Sequence, residues 1–110
     1  MLHDTISKIE SRLQTSAALN ESQRAEVLKL LGQLRTEIGQ ISKTHQEQAE
    51  SIAAFAEVSA REATREERNP QLVEHSIGGL KSSVREFETS HPRLAGVVNR
   101  LASMLANMGI

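Results

Sequence analysis

Apolar side chains recur along this chain at alternating steps of three and four residues, and that rhythm predicts most of its structure. Val27, Leu31, Leu34, Ile38 and Ile41, then Ile52 and Phe55, fall on one seam of an α-helix whose repeat is close to 3.5 residues. No proline and no turn cluster interrupts residues 21–68. The spacing therefore predicts a single helix over 21–68, roughly 70 Å long at about 1.5 Å per residue. A lone rod cannot keep such a seam dry. The expected architecture is all-α: a long central helix with shorter antiparallel helices, in a coiled-coil or helical-bundle assembly.

The shorter helices carry the same signature. Leu2, Ile6, Ile9 and Leu13 predict an amphipathic helix over 2–15. Small and polar residues follow, until Asn20 offers an N-cap with Gln23 at the capping-box spacing. Asn69-Pro70 is the clearest punctuation in the chain, a cap followed by a first-turn proline. Beyond it Val73, Ile77, Leu80, Val84 and Phe87 predict a helix over 70–89. Ser90-His91-Pro92 repeats the turn signal. Leu94, Val98, Leu101, Leu105 and Met108 then predict a helix over 92–108, with Gly109 placed as a C-terminal cap. Residues 1–110 read as one helical domain.

Three places depart from the rhythm. His45 and Gln48 occupy seam positions, and read as an exposed stretch or a polar layer, since residues 42–50 hold neither Gly nor Pro. A bend or break there, making two helices out of one, is the competing reading. Gly32 and Gly39 lie inside the predicted long helix, either as sites of close approach or as tolerated surface glycines, and Gly78-Gly79 lies inside a later helix as a soft spot that could kink it. Past Phe55 the sequence turns alanine-rich and then charged with both signs mixed, which reads as a solvated helix end.

Composition narrows the function more than it defines it. Lys and Arg number 13 against 14 Asp and Glu, and only Phe55 and Phe87 are aromatic. Nucleic-acid binding has neither its basic footprint nor its stacking platforms. Cysteine is absent, which removes disulfides and thiolate metal sites. The first residues, Met1-Leu2-His3-Asp4, do not read as a signal peptide, and no apolar run is long enough to span a membrane. The expected location is cytoplasmic. The histidines are His3, His45, His75 and His91. Glu88-x-x-His91 has the spacing found in di-iron bundles, but it occurs once where two copies and two further glutamates are needed. No HExxH, GxSxG or phosphate loop is present. The expectation is a non-enzyme with no catalytic, metal-binding or cofactor-binding residues and no cofactor.

Phe87-Glu88-x-Ser90-His91-Pro92-x-Leu94, then Asn99-Arg100-Leu101-Ala102 and the terminal Asn107-Met108-Gly109-Ile110, resembles a family of short bacterial helical proteins catalogued as a domain of unknown function. The front fits that layout too, with a helix starting Leu2-His3, a polar loop and Arg24-x-x-Val27-Leu28-x-x-Leu31. The middle, residues 43–68, is longer than the family's layout. The resemblance implies no activity. It marks the Ser90-His91-Pro92 corner and the extreme C-terminus, where the plain reading is structural: Ser90 caps a helix, His91 bonds a neighbouring carbonyl and the tail closes the core, with Asn69-Pro70 a separate structural turn.

The function expected from these readings is structural or adaptor-like, through helix–helix self-association as a homo-oligomer (dimer or tetramer) or through protein binding. A small chaperone- or secretion-type partner for another protein's amphipathic helix is the alternative, and a metal-binding bundle the remote one.

Overall fold

The apolar seam that starts at Val27 runs to Ile41 and then folds back, because the chain leaves helical conformation at residues 42–45. The computed structural model describes residues 2–109, and two helices stand where the spacing predicts one: α2 (Glu21–Ile41) and α3 (Gln46–Thr64). The single helix over 21–68, and with it the long central helix, is not formed. The joint explains why. The Ser42 hydroxyl donates to the Gly39 carbonyl at 3.0 Å, and the Thr44 and His45 N–H groups both reach the Ile41 carbonyl, at 3.1 and 2.7 Å. Short hydroxyl side chains compete for helix carbonyls, so this run ends a helix without Gly or Pro. His45 then sits at φ −135°, ψ 58°, and α3 starts behind it.

The other elements are α1 (Leu2–Thr15), α4 (Pro70–Ser83), a 3-10 turn (Arg85–Phe87) and α5 (Pro92–Gly109). The expected caps are present. Asn20 accepts from the Gln23 N–H at 2.7 Å while the Gln23 side chain accepts from the Asn20 N–H at 3.0 Å. Asn69 Oδ1 accepts from the Gln71 and Leu72 N–H groups, ahead of Pro70. Residues 65–68, read from sequence as the charged end of the long helix, are not helical. The helix expected over 70–89 stops at Ser83 and passes into the 3-10 turn. Gly78-Gly79 does not kink α4, which runs through both. Ile110, the last residue of the family-like tail, lies outside the described residues.

Four helices make a ring in which each touches its two neighbours: α1 packs on α2 and α3, and α5 packs on the same two from the opposite side. The diagonals barely meet. α2 and α3 touch little, and α1 and α5 not at all. α4 lies outside the ring, against α3 and α5. The result measures 38 × 24 × 22 Å, so the chain covers its own seam. Val27, Leu31, Leu34, Ile38, Ile41, Ile52, Val73, Ile77, Leu80, Val84, Phe87, Leu94, Val98, Leu101 and Leu105 are all buried within one chain. Each such side chain stabilises the fold by about 1.5–3 kcal/mol.

α3 touches every other helix, and its composition allows it. Ala49, Ala53, Ala56, Ala60 and Ala63 are buried, so neighbours approach a narrow cylinder closely on several sides. The alanine-rich segment is thus the centre of the bundle, while of the charged run that follows Glu62 and Ala63 are buried and Arg61 and residues 65–68 are exposed. Phe55 is the matching correction. The buried stripe steps from Ile52 to Ala56, which turns Phe55 about 100° away from the core. Its side chain is 40% exposed.

Arg24 ties α1 to α2. Its guanidinium donates to the carbonyls of Leu13 (2.8 Å), Gln14 (2.7 Å) and Leu19 (2.9 Å), which α1 and its following turn leave without helical partners. Arg24→Met keeps most of the aliphatic stem and removes all three bonds. The expected loss is about 2 kcal/mol, read as a lower urea midpoint at unchanged slope; a midpoint within error of the parent would show these bonds contribute nothing net.

Candidate functional site

Of the residues singled out from sequence, all the seam positions but one go into the core, where they are unavailable to any partner. Asn69 and Pro70 start α4. The Ser90-His91-Pro92 turn meets a feature that no sequence pattern connects it to. His91 lies beside His45 from the α2–α3 joint, with Phe87 between them. The Phe87 ring is edge-on to both imidazoles at centroid distances of 5.4 Å, and the two imidazoles are 6.2 Å apart. Each imidazole shares a hydrogen bond through Nδ1 with the hydroxyl preceding it, Thr44 at 2.8 Å and Ser90 at 2.9 Å. The Ser90 hydroxyl is thereby on the ring rather than on the helix start. Edge-to-face pairs contribute about 0.5–1.5 kcal/mol each, so the cluster fastens the joint to the start of α5. Among the described residues no three His, Asp or Glu side chains converge as a metal ion requires.

Two surface grooves remain. Between α2 and α5 a groove of about 420 Å³ is lined by Gln33, Thr36 and Glu37 on one side and by Pro92, Arg93, Gly96, Val97 and Arg100 on the other. The Gln33 Oε1 atom is buried there with no hydrogen-bond partner. Between α3 and the end of α4 lies a second groove, of about 450 Å³. Glu47, Gln48, Ser51 and Phe55 line it from α3, and Gly79, Ser82, Ser83 and Glu86 from α4 and the 3-10 turn.

The second groove holds the exposed aromatic. Phe55 lies across Gly79 so closely that a methyl there would overlap its ring, 2.6 Å from Cδ1 and 3.2 Å from Cζ. Gly79 is the close-approach glycine. Gly32 and Gly39 face open space, so for them the surface reading holds, and Gly78 faces open space as well. Phe55 and Leu72, 40% and 43% exposed, are the large apolar side chains left in solvent among the described residues. Sequence reasoning missed Gly79 as a landing place because the α3–α4 register that opposes it to Phe55 depends on the break at residues 42–45. The glycine itself, inside an apolar-periodic helix, was the available signal.

A family model described as Domain of unknown function (DUF4404) matches residues 27–110, from the second turn of α2 to the end of the chain. No curated protein and no solved structure matches the chain. No helix among the described residues is long and apolar enough to cross a membrane.

Proposed function

We propose that this chain, which belongs to the DUF4404 family, is a non-enzymatic adaptor that binds another protein in the groove between α3 and α4. The reading rests on Phe55. A bundle that buries nearly every large apolar side chain leaves this ring in solvent and sets it against a glycine that no other residue could replace without moving it. Exposed aromatic side chains lining a concave patch are frequent anchors of protein interfaces, whereas a scattered aliphatic such as Leu72 needs no explanation. Self-association through the seam has lost its driving force, because the chain's own helices cover it. Binding is left to the surface.

A photo-cross-linking side chain placed at Ser82, inside the groove, tests this in the native host, with the same group at the exposed Gln40 of α2 as control. The expected result is an adduct with a second protein from position 82 and none from position 40, reduced about tenfold by Phe55→Ala, the effect of losing roughly 1.4 kcal/mol. Equal adducts from both positions, or adducts at Ser82 that ignore Phe55→Ala, would remove the proposal.

A further inference from the structure

We infer that the occupant of the α3–α4 groove is a basic amphipathic helix, one that sets an aliphatic side chain on Phe55 and a lysine or arginine between Glu47 and Glu86. The inference rests on the groove being the binding site and adds what binds there. The charges are of one sign. The two ionisable residues lining the groove, Glu47 and Glu86, are both carboxylates, both exposed, and neither is ion-paired among the described residues. Glu47 is in the first turn of α3 and Glu86 follows the end of α4. Both therefore stand at the same end of the groove, while Phe55 and Gly79 form the other. From Glu47 to Phe55 the helix rises about 12 Å at about 1.5 Å per residue. The lining between is polar: Gln48, Ser51, Ser82 and Ser83.

A partner matching this relief carries an apolar residue at one position and a cation two turns away, on the same face, with small residues between them. A helix supplies that spacing with positions i and i+7, and a trough between two packed helices accepts a third helix by ridges and grooves. Charge complementarity at the rim then sets the orientation and the rate of encounter. The α2–α5 groove is the internal contrast, because its lining sets Arg93 and Arg100 against Glu37 and so lacks the single negative sign.

The experiment is a titration of the isotope-labelled full chain, followed by amide chemical shifts, with a blocked amphipathic leucine–lysine helical peptide and with its leucine–glutamate counterpart. The lysine peptide is expected to move the amides of Ser51, Gly79 and Ser82, with affinity about tenfold lower for Glu47→Lys and for Glu86→Lys. Both positions are exposed, so both variants keep the fold. Gly79→Ala, which pushes the Phe55 ring aside, is expected to weaken the same peptide several-fold. If the glutamate peptide moves those amides equally well, the basic partner is wrong and the groove stands. If neither peptide moves them, or the lysine peptide moves only α2 and α5, the groove fails as well. Concentration-dependent shifts of those amides without peptide would make a second copy the occupant and overturn the inference.

Discussion

Leu101→Ala is expected to lower the melting temperature by about 10–20 °C. Leu101 is fully buried on α5, and α5 packs on α2, α3, α4 and the 3-10 turn, so no single element can shift to fill the space left by the truncated side chain. Leucine-to-alanine changes at closed sites cost about 2–5 kcal/mol, the larger values where the cavity cannot collapse. A loss of 1 kcal/mol shifts the midpoint by roughly 4–8 °C in domains slightly smaller than this one. Total stability of small domains is about 5–15 kcal/mol, so the variant is expected to retain a cooperative but markedly earlier transition in calorimetry. Leu72→Ala is the matched control. It removes the same atoms from a side chain 43% exposed and is expected to change stability by less than about 0.5 kcal/mol. Equal effects of the two would mean that the apolar face of α5 is not closed off by its neighbours.

The contrast between these leucines shows how much of the fold was legible. Helix starts could be read almost to the residue, because Asn20, Asn69 and Pro70 act on the chain a few residues away. The stripes of α1, α4 and α5 were legible for the same reason: periodicity is local. What failed depended on distance. A rod ending in partner chains and two helices folded on one another satisfy the same step pattern, and the choice between them was made at residues 42–45 by hydroxyls that carry no strong stop signal. Size does not mark burial at Phe55 and Ala56. In α3, close approach on several sides selects the small residue instead. The candidate groove was illegible for both reasons, since it exists only once α3 has turned back and set its aromatic outward over Gly79.

That origin of the break gives the second large effect. Replacing Lys43, Thr44 and His45 together by alanine is expected to convert the protein to a dimer of about 24 kDa, twice 12.1 kDa, in which residues 21–64 form one helix and each chain's α3, α4 and α5 pack on the other's α1 and α2. Each substitution by alanine favours helix by up to about 0.7 kcal/mol. The change also removes the Thr44 hydroxyl from its carbonyl and the His45 ring from Phe87 and His91. Every contact of α1 with α3 and of α2 with α5 is remade between chains, so the closed ring is preserved and only the joint changes, the situation in which hinge substitutions exchange elements between copies. Light scattering coupled to size exclusion reads the mass, and small-angle scattering should show a radius of gyration well above the single chain's 12.8 Å. A variant that stays at single-chain mass with unchanged helix content would place the cause of the turn in the packing of α1 and α5 between α2 and α3, and not in the four residues that join them.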